Sequence, residues 1–313
     1  MSGRGIPAKR SMEWKMSLGI RFGSAALLAS VLSVCGSVPS WSQQAPPAPP
    51  APDRSQYNLF NPTPDDALRD FSTDRPTKAT GPFTVDGGRY QLETDLTLYT
   101  YDYANDANTT TRTWTVLDPT LRIGLTSNIE LDIISSGFYN NVKTTDRSEG
   151  TSQTNQGFGD ITLRSKFNLI GNDGGDVAFA IIPQIKFPTN TGNVGNNAYE
   201  GGVLLPVALA APLGFTLTVM PQFDALKNSS DNGHHAAFTQ IINLSRPIVE
   251  GLTGYVEFFS QESAESGSKN IYTFDTALAY VIAPNLQFDI GTNIGLNKAA
   301  PDIQAYVGVS KRF

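Results

Sequence analysis

From Gly88 to the C-terminus the chain is a succession of runs in which every second residue is apolar, separated by connections that alternate between long and short. Period two marks a strand lying between two environments. Leu117, Leu121, Ile123 and Leu125 alternate with Asp118, Thr120, Arg122 and Gly124. The cleanest run sets Leu286, Phe288, Ile290, Ile294 and Leu296 against Gln287, Asp289, Gly291, Asn293, Gly295 and Asn297; the weakest is 236–246. Polar tips follow the first, third, fifth, seventh, ninth and eleventh runs, and tighter turns follow the others. A soluble sandwich has no reason to sort its connections by side. An even number of antiparallel strands with short turns on one side and longer loops on the other is the pattern of a transmembrane barrel. The expectation is an all-β, membrane-spanning, antiparallel up-and-down barrel of about 12 strands over 88–313.

Hydropathy agrees with strands and not helices. Only 17% of residues are charged and 40% are hydrophobic, yet no run of the roughly 20 apolar residues that a spanning helix needs follows residue 40. Phase follows from cost: an Arg or Lys on the lipid face at mid-depth costs about 2–4 kcal/mol. Glu93, Arg122, Glu130, Asp132, Asp160, Arg164, Lys166, Lys186, Asp224, Glu257, Asp275 and Asp289 are therefore assigned to the lumen. In the first strand Leu92, Leu96 and Leu98 face lipid and Glu93, Asp95 and Thr97 face inward. The segment 141–156 reads as a long polar loop, and 298–302 as the shortest outer tip. Tyr99, Tyr101, Tyr103, Trp114, Phe138, Tyr139, Tyr199 and Tyr272 collect towards the outer rim, as an interfacial girdle would.

Residues 1–42 resemble an export signal, with Arg4, Lys9, Arg10, Lys15 and Arg21 before a short apolar core at 25–34. The sole cysteine, Cys35, lies in this segment, and Val34 is too bulky for a good lipoprotein box. Cleavage would leave a chain without thiol or disulfide chemistry. Removing the five basic residues and Glu13 of that segment from the totals of 23 and 29 leaves 18 basic against 28 acidic residues, which argues against nucleic acid as a partner. Residues 43–57 form a proline-rich periplasmic linker. Residues 58–87 are rich in Asp, Pro and Thr; Asp74 and Arg75 either tuck into the lumen as a small plug, the preferred expectation, or lie in the periplasm.

The chain ends on a strand, 303–313, closed by an aromatic residue. A terminal Phe313 resembles the C-terminal signature of bacterial outer-membrane barrels, which the barrel-assembly machinery reads. Lys311 departs from that signature, but a lysine near a membrane boundary can snorkel.

With the strands placed, local phrases become recognisable. Ser72-Thr73-Asp74-Arg75-Pro76 followed by Val85-Asp86-Gly87-Gly88-Arg89-Tyr90-Gln91-Leu92-Glu93 resembles the opening of the outer-membrane family of the MetA-pathway of phenol degradation. Gly157-Phe158-Gly159-Asp160 leading into a strand and Lys186-Phe187-Pro188-Thr189 ending one fit the same family. The resemblance implies a barrel in the outer membrane of a Gram-negative bacterium that passes small hydrophobic or aromatic compounds. Its direct partners would be outer-membrane lipid and those solutes.

Enzyme chemistry has little to work with. His234 and His235 are adjacent on an outer tip and no nucleophile is paired with either. No metal-ligand spacing and no phosphate-cradling loop is present, so no catalytic, metal or cofactor residue is assigned. The rivals to a channel are an adhesive barrel acting through its loops and an outer-membrane enzyme. The lumen carries the remaining expectations. Folding the first four strands puts Glu93 beside Arg122, Arg122 near Asp132 and Asp132 near Arg164, a ladder of opposite charges on the wall. Its roles are structural pairing of buried charges or contact with a passing solute.

Overall fold

The computed structural model describes residues 52–313. The expected export signal, Cys35 and most of the proline-rich linker lie outside the described residues. The wall opens with β1 (Tyr90–Asp102). The next three wall strands are each broken once: β2 (Thr109–Val116) with β3 (Thr120–Gly124), β4 (Ile129–Ser135) with β5 (Tyr139–Asp146), and β6 (Ser152–Gly157) with β7 (Ile161–Ile170). Then come β8 (Val177–Phe187), β9 (Glu200–Leu204) continued by β10 (Val207–Ala211), and β11 (Phe215–Lys227). The circuit ends with β12 (His234–Val249), β13 (Leu252–Ser263), β14 (Ile271–Ala283), β15 (Leu286–Gly295) and β16 (Ile303–Arg312). The sixteen segments make a closed antiparallel barrel of twelve wall strands.

Closure is made by β16 on β1, in register from Gln91 opposite Arg312 to Tyr101 opposite Ile303. In hydrocarbon no water is available to an unpaired N–H or C=O, so only a sheet without edges can cross. The turns 125–128, 171–176, 212–214, 250–251 and 284–285 sit on the side of both barrel ends, and all six longer connections sit on the other. The outward positions are apolar and open to lipid: Leu92, Ile133, Phe167, Ile181, Ile242, Phe274, Ile290 and Val307 are all at least 36% exposed. Near the inner boundary Lys311 lies over the Phe313 ring and Arg246 over Phe215, with stems along the wall. The aromatic girdle is paired, Tyr99 on Trp114 at 4.7 Å between centroids and Phe258 on Tyr272 at 6.3 Å.

Three local expectations are corrected. A β-bulge between Asp95 and Thr97 reverses the phase of β1, so Thr97 pairs outward-facing Val307 and Leu98 pairs inward-facing Tyr306. An extra residue in one strand moves every later side chain to the other face. The segment 141–156 is not a loop. β5 and β6 continue their strands as a hairpin above the wall, leaving 147–151 as its tip. Threonine favours extended backbone, and outside the lipid a strand can be polar on both faces, so the alternation that marks a strand vanishes there. The last outer connection, 296–302, is consequently not the shortest; 147–151 is.

The bulge is testable by cysteine labelling. A maleimide confined to the lipid phase is expected to modify Thr97→Cys and to leave Leu98→Cys unreacted; the opposite pattern would remove the bulge.

Candidate functional site

Residues 58–87 begin at the inner rim. Asn58 bridges Thr126, and the Leu59 N–H donates to the Leu125 carbonyl at 2.9 Å. Arg54 and Arg69 converge on Asp173 of the β7–β8 turn at 2.8 and 2.9 Å, and Arg312 donates to the Arg69 carbonyl at 2.9 Å. From there the chain runs inside the barrel. Glu93 accepts the backbone N–H groups of Asp74 and Arg75 at 3.1 and 3.0 Å. Glu257, on the other side of the lumen, accepts those of Lys78 and Ala79 at 3.0 and 3.1 Å.

Arg75 is the main anchor. Its guanidinium bonds Asp95 at 2.5 Å and Asp289 at 2.6 Å. These carboxylates lie on either side of Gly308 in one cross-strand row through β1, β16 and β15. A Cβ on Gly308 would collide with the guanidinium, so the absence of a side chain lets the arginine lie flat on the wall. Tyr306 fixes the next residue by donating to the Pro76 carbonyl at 2.6 Å. Lys78 pairs with Asp275 at 2.8 Å.

The charges assigned to the lumen all face it, but the ladder is partnered differently. Glu93 does pair with Arg122, at 2.8 Å. Arg122 then takes Glu130 at 2.9 Å and not its register neighbour Asp132, while Arg164 turns away from Asp132 to Thr80 and Gln184, both at 3.0 Å. Long side chains reach diagonal neighbours, and the inserted segment offers partners that no strand pairing contains. Lys166 holds Asp74 at 2.9 Å and Glu130 at 3.0 Å. Nearer the outer side Lys186 bonds Glu200 at 2.7 Å and lies 3.6 Å from Asp160. Asp224 accepts from Gln222 at 2.8 Å and Gln184 at 3.3 Å. Phe313 is exposed at the inner lipid boundary, its N–H donating to the Tyr90 carbonyl at 2.8 Å.

Facing this charged wall is an apolar one that the sequence reading missed. Ala180, Ile182, Leu204, Met220 and Ile241 point inward from β8, β9, β11 and β12 and pack on Ala79 of the inserted segment, with Phe259 of β13 against them. The available signal was doubled apolar residues within strands: Ile181-Ile182, Leu204-Leu205, Val219-Met220 and Ile241-Ile242. In a two-faced strand one member of such a doublet must face inward. That also explains the weak alternation of 236–246.

The two histidines diverge. His234 Nε2 lies 2.7 Å from the Tyr199 carbonyl and His235 Nδ1 lies 3.0 Å from the Asn228 side chain. No hydroxyl nucleophile contacts either ring among the described residues. The outer loops are tied by Asp106, which bonds Lys269 and lies 3.4 Å from Lys298; those contacts hold its carboxyl below the usual range.

The family described as "Putative MetA-pathway of phenol degradation" matches residues 73–313. The chain belongs to that family. Its match begins beside Asp74 and Arg75, so the inserted segment from Thr73 onward and the wall are matched together. Among solved structures the chain is similar to an outer membrane channel from Pseudomonas putida F1, with a TM-score of 0.53 at 11% identity, covering 72% of this chain and 95% of that one. This shows the fold. Looser likenesses are the transport unit of the autotransporter AIDA-I from Escherichia coli, TM-score 0.48 at 14% identity over 72% and 90% of the chains, and the NanC porin, TM-score 0.46 at 9% identity over 71% and 98%. No curated protein matches this chain. The fold is that of an outer-membrane β-barrel.

Arg122→Ala would strand Glu93 without its cation and leave Glu130 with Lys166 alone, at a cost of about 3–5 kcal/mol. Urea unfolding followed by Trp fluorescence is expected to show that loss. Arg75→Ala should leave the barrel folded while increasing hydrogen exchange over 72–80; unchanged exchange would show that Arg75 is not the anchor.

Proposed function

We propose that the protein is an outer-membrane channel for small apolar or aromatic compounds, moved down their gradient without covalent chemistry. The observation that carries this reading is the inner apolar wall of Ala180, Ile182, Leu204, Met220 and Ile241. These side chains are covered by Ala79 of the inserted segment, and once that segment shifts an apolar solute gains about 25 cal/mol for each Å² that it and the wall remove from water. The charged wall opposite keeps its ions paired with each other and with the inserted segment, so a passing solute need not strip them. Residues 58–80 act in this reading as a plug that narrows the lumen and must shift, or be skirted, during passage. The front of the chain serves as a cleaved export signal, and Phe313 closes the strand that the assembly machinery recognises.

Reconstituted in liposomes, the protein should accelerate entry of a small aromatic compound over an equally sized sugar. Met220→Gln, close to isosteric but polar, is expected to reduce aromatic flux about fivefold, the equivalent of ~1 kcal/mol of lost apolar contact, with ion conductance unchanged. Equal entry of sugar and aromatic compound would sink the solute class. Deleting residues 58–80 should raise single-channel conductance, and an unchanged trace would reject the plug.

A further inference from the structure

The lipid-facing side of the wall is not a uniform surface of large side chains. A groove of about 860 Å³ crosses it from β12 to β1. Its floor is a cross-strand row of small residues, Thr276, Thr292 and Ala305, on β14, β15 and β16. The next row towards the inner rim carries Leu278, Ile290 and Val307, and the next row outward carries Phe274, Ile294 and Ile303. A line of short side chains between two ridges of long ones leaves room for a hydrocarbon chain. Thr292 can stand here without water, because its hydroxyl donates to the Gln304 carbonyl at 2.9 Å.

The two ends of the groove differ. Tyr99 and Trp114 of the aromatic girdle close the outer end, and Arg246 stands at the inner end as the one charged residue that lines it. Arg246 is exposed, opposite Gly254 and near the inner end of β12. The Phe215 ring covers one face of its guanidinium at 5.1 Å. Glu250, the acid closest to it in the chain, makes no ion pair with it, and among the described residues no acceptor meets its N–H groups. The five donors of a guanidinium form a fork that fits two oxygens of a phosphate. At the inner boundary of an outer membrane that phosphate is the head group of an inner-leaflet phospholipid.

We propose that the groove is a binding site for one inner-leaflet phospholipid, with its phosphate on Arg246 and an acyl chain laid along Thr276, Thr292 and Ala305. Hydrophobicity alone does not select this lipid, since an acyl chain in a bilayer is already out of water. Retention comes from close packing in the groove and from the ion pair, the kinds of contact that operate between surfaces in lipid. The length suits such a chain. Five strand spacings of about 4.8 Å separate β12 from β1, roughly 24 Å along the groove, and strand tilt lays that length obliquely across a hydrocarbon core about 30 Å thick. Lipopolysaccharide fits less well, because its phosphates belong to the outer leaflet and the groove has no cation at that end.

The test uses the full chain in detergent micelles, with folding checked by heat-modified gel mobility. Native mass spectrometry with added phosphatidylglycerol is expected to show one phospholipid retained per chain. Diacylglycerol with the same acyl chains offers the hydrocarbon without the phosphate and should be retained at least about tenfold less, the equivalent of one charge-assisted hydrogen bond. Arg246→Ala should lower phospholipid retention by the same factor, with Arg246→Lys in between. Thr292→Phe, which fills the floor, should lower it with Arg246 still in place. Both positions face lipid, so neither variant removes a lumen contact. Native retention by the folded Arg246→Ala or Thr292→Phe variant would overturn the proposal. So would diacylglycerol bound as well as phosphatidylglycerol, which would leave Arg246 reaching only for interfacial water, or preferential retention of lipopolysaccharide or of a second copy of the chain.

Discussion

Everything in this protein depends on the seam between β1 and β16. A twisted sheet in hydrocarbon cannot leave a row of N–H and C=O groups unpaired, and the only exit is to join its last strand to its first. The join runs the length of both strands, from Gln91 opposite Arg312 to Tyr101 opposite Ile303. Once it is made, the inside and outside of every strand are defined, and with them the environment of every second side chain. Closure also creates the lumen, whose contents must then be reconciled with burial.

That reconciliation takes two forms. On the side of β1, β3, β4, β7, β15 and β16 the lumen is filled with ionised groups, and these are held by each other and by the inserted segment. Arg75 is the clearest case: without Asp95 and Asp289 it would be a buried cation, and without it they would be two adjacent buried anions. On the side of β8, β9, β11 and β12 the contents are aliphatic and meet Ala79. The inserted segment therefore touches both walls with appropriate chemistry, charged residues at 74–78 against charge and a methyl group against the aliphatic patch. An amphipathic lumen of this kind sets an aliphatic surface beside a structural charge network.

The strand number, the sorting of connections and the phase of nearly all lumen charges were legible in the sequence, because period two over a lipid boundary is a strong pattern. Leu98 was misassigned because a bulge at Leu96 leaves the alternation of Leu92, Leu96 and Leu98 looking intact while the backbone has slipped by one. The β5–β6 hairpin reads as a loop in the sequence because, beyond the lipid, threonine and asparagine can occupy both faces of a strand. The partners of Arg122 and Arg164 were misjudged for another reason. Strand pairing orders only neighbours in the wall, and the competing groups, Asp74, Thr80 and the Phe83 carbonyl that accepts from Arg122 at 2.9 Å, arrive from a segment whose path no periodicity records.

The amino-acid sequence by itself determined a twelve-stranded outer-membrane barrel, since alternation, loop sorting and the absence of long apolar runs leave no other economical way to satisfy the backbone. It also determined which residues are charged and on which face of a strand they stand. Only the tertiary structure decided which charges meet, that one inner wall is aliphatic, and that Asp132 is left facing Asp74 and Glu130. The physical reason is range. Periodicity is a property of adjacent residues and can be read along the chain, whereas the pairing of buried charges depends on which distant segments share the same few ångströms of low-dielectric space.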